Sequence, residues 1–425
     1  MTRQRHRRNE VAAALTAACL LLFPAASRAA TISVAAGNGN LREAVAASRP
    51  GDVLELAAGL HLGPIKIDHA LTIEGAPGAV LDGQGRGTTI EVVGAQVVIR
   101  GLKIRNSGIT DPTNSAIFLA ETATGAVVEN NQISDSLVGV YVHGAADTIV
   151  RNNRIAGRVD LRMNERGNGV YVWNAPGAQV IGNDITGGRD GIFTNASRNN
   201  VFRGNRIENV RFAVHYMYTN DGEVSDNVSR NNHAGYVIMY SSRLKIRNNS
   251  SENDREHGLL FNYANDADIS GNVVQRSDEC VFIYNANKNL FADNRFEDCT
   301  VGIHFTAGSE RNDITNNAFI HNRTQVMYVG TRSLDWSKNG RGNYWSDNPA
   351  FDLNGDGIAD TAYRPNDVFD KVAWTYPAAK LLVNSPAVQT LRFAQSQFPA
   401  LHPGGVIDSA PLMVPPVIPA PEKKP

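Results

Sequence analysis

Val127-Val128-Glu129-Asn130-Asn131-Gln132-Ile133 is followed, 22 residues on, by Ile149-Val150-Arg151-Asn152-Asn153-Arg154-Ile155. The phrase returns as Val180-Ile181-Gly182-Asn183-Asp184-Ile185 and Val201-Phe202-Arg203-Gly204-Asn205-Arg206-Ile207, and its Asn recurs at Asn227, Asn249, Asn272, Asn294 and Asn317. Successive intervals are 22, 30, 22, 22, 22, 23, 22 and 23 residues. A second marker stands eight residues after the first, at Gly139, Gly191, Ala213, Gly235, Cys280, Gly302 and Gln325. Gly258 comes nine after its Asn, and Gly169 comes sixteen after Asn153, which locates the one long interval in a loop over 158–168.

A unit of this length, built of short apolar runs between Asn/Gly corners, buries no core alone but does so by stacking on its neighbours. The pattern predicts an all-β chain folded as a right-handed parallel β-helix. Eleven or twelve coils at about 4.8 Å each would make a rod on the order of 55 Å long. Stacked Asn side chains can bond up and down one corner, which accounts for the marker without chemistry.

Outward from the repeat, the organisation reads as a leader over 1–29, an N-terminal cap with first strands over 30–64, coils over 65–346, a C-terminal lobe over 347–412 and a Pro-rich tail over 413–425. The leader has a basic start, an apolar run from Val11 to Phe23 and small residues up to Ala30, the order of a secretory signal. That run is too short for the roughly 20 residues a bilayer needs. Leu41–Ala47 has helical spacing, as a plug over the open end of a solenoid requires. Beyond the leader, 36 basic face 41 acidic side chains, so nothing recruits nucleic acid.

Because strand side chains alternate, registering each coil on its Asn sorts core from surface. Val140 and Val142, Val170 and Val172, or Ile303 and Phe305 point inward. The outward positions then read Tyr141/His143, Tyr171/Trp173, Phe193/Asn195, His215/Met217, Val237/Met239, Leu260/Asn262, Phe282/Tyr284, His304/Thr306 and Met327/Val329. An apolar, aromatic stripe of that height is either covered by the C-terminal segment or used to bind a partner. Met217 and Met239 fall at equivalent positions of adjacent coils, two residues along from the His215 row. Two thioethers and an imidazole suit Cu(I), although the same three residues also fit a plain apolar interface.

Three other features carry weaker signals. Cys280 and Cys299 sit in adjacent coils, but their unequal offsets from the marker argue for two separate buried thiols rather than a disulfide. Asp352, Asn354, Asp356, Ile358 and Asp360 place oxygen ligands as a calcium loop does, with Gly357 at the turn, but Tyr363 replaces the bidentate Glu. A weak structural calcium site and an Asx-rich turn both fit. No column of converging carboxylates suggests hydrolase or lyase chemistry, and Arg189-Asp190 reads as an isolated surface pair.

The C-terminal third supplies a resemblance. Gly340-Arg341-Gly342-Asn343-Tyr344-Trp345-Ser346-Asp347, the acidic loop 352–360, Tyr363-Arg364-Pro365-Asn366-Asp367, Leu381-Leu382-Val383-Asn384-Ser385-Pro386-Ala387-Val388, Phe398-Pro399-Ala400-Leu401 and Asp408-Ser409-Ala410-Pro411-Leu412 together resemble the NosD family of nitrous oxide reductase maturation proteins. The resemblance implies a non-enzymatic periplasmic β-helix, peripheral to the membrane, that docks on an ABC transporter permease with its ATPase. It further implies transient copper, taken from a lipoprotein copper chaperone and used on apo nitrous oxide reductase. The His215, Met217 and Met239 set comes from register and not from the family. A carbohydrate-binding or carbohydrate-processing β-helix using the aromatic stripe is the alternative.

Overall fold

The computed structural model describes residues 29–306, 308–330, 332–398 and 404–418. The leader expected over 1–29 and the end of the Pro-rich tail therefore lie, apart from Ala29 and residues 413–418, outside the described residues.

The chain winds into a right-handed parallel β-helix with three long sheets of thirteen, thirteen and twelve strands. One coil shows the pattern. Gln179–Ile181 lies in sheet I, Asp184–Thr186 in sheet II and Ile192–Asn195 in sheet III, after which Val201–Arg203 re-enters sheet I one step higher. Each strand pairs in parallel with its equivalents in the neighbouring coils. Middle residues of the short strands stack into inward columns, such as Val128, Val150, Val180, Phe202, Val224 and Ile246 in sheet I, all buried. Their β-branched and aromatic side chains fit a pleated surface buried on one face.

The corner between sheets I and II carries the Asn marker, and its geometry explains the sequence. The residue before each marker is left-handed, as at Asn152 (φ 54°), Gly204 (φ 64°), Asn248 (φ 54°) and Gly271 (φ 67°), a conformation that Asn and Gly adopt at least cost. That turn directs the marker inward. Asn205 Nδ2 donates to Asn227 Oδ1 at 2.9 Å and to the Val180 carbonyl at 2.9 Å, while its own Oδ1 accepts from the backbone N–H and Nδ2 of Asn183. Every polar atom of the amide is thus satisfied in a dry interior.

The column does not stop at Asn317, where the periodicity fades in the sequence. Asn317 Nδ2 donates to Asn343 Oδ1 at 2.9 Å across an interval of 26 residues, so one more coil follows, ending in Tyr344–Trp345 of sheet II. Asp408 then caps the column. Its Oδ2 accepts from Asn343 N at 2.7 Å and from Trp345 Nε1 at 2.8 Å, and its Oδ1 accepts from Ala410 N. Burial pushes the Asp408 carboxyl above the usual carboxylate range despite these donors.

Both ends of the core are closed. At the N-terminus, helix α1 (Asn40–Ala47) buries Leu41 and Val45. At the other end, Phe319, Trp345 and Tyr363 stack at 4.3 and 4.8 Å with Trp336 alongside. Beyond them, α2 (Val368–Thr375) and α3 (Pro386–Gln397) share a small separate core around Phe369, Ala373 and Val388. The acidic loop ties into the last segment through backbone bonds, Ala359 N to Pro411 O and Met413 N to Gly357 O.

Cys280 and Cys299 are disulfide-bonded, with Cα atoms 5.7 Å apart, against the expectation from their offsets. The corner between sheets II and III is the reason. Five residues after a marker the chain turns inward there, and eight residues after the preceding marker the next strand begins, so the two positions meet in space. A Cβ built on Gly235 would lie 2.8 Å from an Asp254 carboxylate oxygen, and one on Gly302 would lie 3.0 Å from Asn322 Nδ2, the same two offsets in other coils.

Two measurements check this architecture. Asp408→Ala leaves the Asn343 and Trp345 donors unpaired in the interior and is expected to lower unfolding free energy by about 2–4 kcal/mol in a urea melt. Replacing both Cys280 and Cys299 with Ala opens a loop that spans 19 residues of sequence and is expected to cost about 3 kcal/mol. In the parent chain starting at Ala30, thiol titration under denaturing conditions should find no free cysteine.

Candidate functional site

The outward rows of sheet III carry the stripe, and the register is as the marker spacing predicts. Tyr141, Tyr171, Phe193, His215 and Val237 are successive partners, continuing through Leu260, Phe282, His304 and Met327. A second row, two residues on, runs His143, Trp173, Asn195, Met217, Met239, Asn262 and Tyr284. Most of the stripe is partly exposed, whereas Tyr141, His215 and Val237 are buried within it, against the expectation that every outward position faces solvent. Hydrogen bonds from Asn366 Nδ2 to Val326 O and from Gln325 Nε2 to Asp347 Oδ1 join the C-terminal lobe to the last strand of sheet III. Among the described residues, the lobe packs against the last coil at the end of the rod.

In the first row the rings lie face to face. Tyr141 stacks on Tyr171 at 4.5 Å, Tyr171 on Phe193 at 4.9 Å and Phe193 on His215 at 4.6 Å, with interplanar angles of 16°, 13° and 24°. Trp173 stacks on His143 at 4.4 Å. Such stacking stabilises the sheet, but it turns ring faces toward one another and ring edges toward solvent.

His215 is held from below. Its Nδ1 lies 3.1 Å from Asp190 Oδ2, and Arg211 grips the same carboxylate through Nε at 2.8 Å and a terminal nitrogen at 2.6 Å. Asp190 is fully buried, which pushes its carboxyl up, but the His215 hydrogen bond and Arg211 outweigh burial and hold it below the usual range. Asp190 thus belongs to a cross-coil cluster, not to an isolated pair with its sequence neighbour Arg189. The other nitrogen, His215 Nε2, is buried without a hydrogen-bond partner. Met217 and Met239 are register partners beside it, one coil apart.

A second cluster lies farther along. His304 Nδ1 is 2.8 Å from Glu279 Oε1, and His257 Nδ1 faces Glu279 Oε2 at 3.2 Å, out of line for a hydrogen bond. Burial raises the Glu279 carboxyl, but the two imidazoles prevail and lower it to about 2. Neither carboxylate anchor was legible as a pair in the linear sequence, although both acids precede their imidazole by 25 residues.

One further row escapes a period-two reading. Tyr218, Tyr240 and Tyr263 occupy the left-handed turn position that Asn174 and Asn285 fill in other coils. Their rings stack at 5.0 and 5.1 Å and stay 52%, 39% and 42% exposed, one residue beyond Met217, Met239 and Asn262. Bulky residues with positive φ carry strain that solvent exposure does not offset.

The acidic loop folds as an Asx-rich turn. Asp352 accepts from Gly355 N and Gly357 N, Asp356 Oδ1 from Ile358 N and Asp360 from Leu353 N, while Asn354 bonds to Asp356 at 3.0 Å. Among the described residues, no group of three or more His, Cys, Asp or Glu side chains is arranged to hold a metal ion. Beside amide and phenol oxygens, the stripe carries imidazole and thioether donors, which suit soft cations. Near α1, Ser48, His69 and Asp68 are linked at 3.0 and 2.8 Å. The Ser48 hydroxyl, however, donates to Val45 O, and the Asp68 side chain is 76% exposed, so the string ties α1 to the coils without activating a nucleophile.

Residues 151–350 match a family described as periplasmic copper-binding protein (NosD). A protein of Stutzerimonas stutzeri named "Probable ABC transporter binding protein NosD" is 39% identical over 375 residues, 84% of this chain and 86% of its own. A Pseudomonas aeruginosa protein of the same name is 39% identical over 386 residues, 87% of this chain and 89% of its own. The Streptococcus pneumoniae surface protein and adhesin PfbA shares the fold, with a TM-score of 0.52 at 10% identity, covering 66% of this chain and 92% of that one.

The Glu279 cluster has a testable pH signature. Its carboxyl titrates lower in the folded than in the unfolded chain, so its ion pairs add stability above the usual carboxylate pKa and lose it as pH falls from about 4.5 to about 2. The gap in unfolding free energy between the parent and Glu279→Gln should therefore shrink over that window in urea melts. A constant gap would show that the pairs contribute nothing.

Proposed function

The chain belongs to the NosD family, and on that premise we propose that it is a non-catalytic periplasmic carrier that holds copper transiently on the outer face of sheet III. The observation that carries this reading is the orphaned Nε2 of His215. Metal-ligating imidazoles characteristically give their other nitrogen to a carboxylate, which fixes ring orientation and raises ligand basicity. Asp190, itself fastened by Arg211, occupies that role. Thioethers from Met217 and Met239 complete a donor set suited to Cu(I) and unsuited to calcium. Of six methionines in the chain, three stand on the outward rows of this one sheet, which favours ligation over incidental packing.

Partner contact is part of the same proposal. We assign the open aromatic face and the strained tyrosine row to docking by the ABC transporter permease with its ATPase, the lipoprotein copper chaperone and apo nitrous oxide reductase. The names of the relatives and the family description support the transporter and copper elements. In this reading calcium, if held by the 352–360 loop, braces the C-terminal lobe and takes no part in copper transfer. The rival carbohydrate reading is disfavoured by the stripe itself. A sugar stacks on an aromatic face, and these faces are already spent on one another.

An anaerobic Cu(I) titration against a chromogenic chelator tests the proposal. The parent is expected to compete for copper, and a variant combining His215→Ala, Met217→Leu and Met239→Leu is expected to lose that competition, with a lowered melting temperature because Asp190 loses a buried partner. Met217→Leu with Met239→Leu, which conserves volume, is expected to weaken the competition while keeping the fold. A parent that never competes would sink the carrier reading.

A further inference from the structure

The carboxylate–imidazole arrangement at His215 occurs twice. Asp190 stands seven residues after its marker Asn183, and His215 stands ten after Asn205, the marker of the next coil. Glu279 stands seven after Asn272, and His304 ten after Asn294, again the next coil. In both places the acid reaches Nδ1 of the imidazole, at 3.1 and 2.8 Å, and in both the separation is 25 residues. Among the described residues of sheet III, the imidazole row holds Val237, Leu260 and Phe282 between the two, none with a ligating atom. Four coil steps at about 4.8 Å set the histidines roughly 19 Å apart.

The second imidazole also has a thioether at hand. Met327 is the register partner of His304, one coil farther on and on the same outward row. The two ring nitrogens lie on opposite sides of an imidazole. With Nδ1 engaged by Glu279 in the preceding coil, Nε2 is the nitrogen left to a ligand, and Met327 is the row neighbour in the next coil. His257, at the register-paired position, places its Nδ1 3.2 Å from the other Glu279 oxygen and adds electrostatic attraction on that side. The ring edge rests against Phe282, with centroids 5.0 Å apart, which leaves the side chain partly buried and its orientation set.

We propose that His304 and Met327 form a second station for a soft monovalent cation on the same face, separate from the one at His215. The inference rests on the copper reading. Two donors, one nitrogen and one sulfur, hold Cu(I) without enclosing it, so an ion placed there stays available to a partner that offers a third ligand. Two stations on one rigid face let one partner load the protein while another unloads it. Glu279 is a positioning residue, acting through His304.

Native mass spectrometry of the full chain, loaded anaerobically with Cu(I), counts the stations. The parent is expected to carry two ions, a chain with His304→Ala and Met327→Leu one, and the His215→Ala, Met217→Leu and Met239→Leu variant also one. Met327→Leu alone conserves volume and keeps the fold testable. Glu279→Gln, which leaves both donors in place, is expected to weaken the second binding event by about 10-fold to 100-fold in chelator competition, as loss of an outer-shell carboxylate does. A merely structural Glu279 would change the melting temperature and leave that affinity unmoved. A parent that carries one ion, lost with the His215 variant, overturns the second station and leaves the carrier reading standing. A parent that carries none overturns both.

Discussion

Everything on this surface is placed by a buried amide. Each marker Asn bonds to the next through its side chain, from Asn131 to Asn343, and uses its remaining hydrogen-bonding capacity on backbone groups of adjacent coils. An amide left unpaired in that interior would cost on the order of 1–3 kcal/mol, so a coil cannot slip against its neighbour without breaking a fully satisfied column. Because side chains alternate along a strand, a slip of one residue would also exchange the core columns for the outward rows. The column therefore does more than stabilise: it keeps residues 25 positions apart in sequence in contact across two coils.

That constraint explains how single imidazoles come to be aimed. A histidine on an open strand surface would sample several rotamers, but His215 and His304 each meet an acid presented by the coil before them. Both acids are held ionised by imidazole contacts that outweigh their burial, with Arg211 adding to the hold on Asp190. The result is one nitrogen fixed and the other free, achieved without a pocket. The stacked rings that precede His215 along its row add rigidity and leave little that a sugar could use.

The sequence disclosed what repeats and concealed what breaks the repeat. The marker intervals sufficed to give the coils, the inward columns and both outward rows, because each depends on alternation and on a period near 22. The Cys280–Cys299 bond was illegible, since offset counting along a strand does not register that a corner folds five and eight residues after the marker onto each other. The coil ending at Asn343 was hidden by its long interval of 26 residues, and its cap, Asp408, lies 65 residues farther on. The tyrosine row was missed for a different reason. Tyr218, Tyr240 and Tyr263 stand at a left-handed turn where Asn or Gly is expected, so alternation assigns them to no row. The acids that hold His215 and His304 were visible as residues, but only the register turns a separation of 25 into a contact.

The closed ends of the rod give the open face its significance. Leu41 and Val45 of α1 seal one end, and Trp345 with its stacked neighbours seals the other. The interior is packed with columns of buried side chains and offers no passage for an ion. On the carrier reading a cation travels on the flank, where the proposed ligands are spaced by the coil step. A deep cage would bind more tightly, yet it would have to open before it could give up its ion. Ligands on a flat, stiff surface need no such motion, because the incoming partner supplies the missing coordination and the exchange proceeds by ligand substitution. Weak and oriented donors near the surface are what the proposed carrier needs, and a parallel β-helix locked by its asparagine column can offer such rows without a moving part.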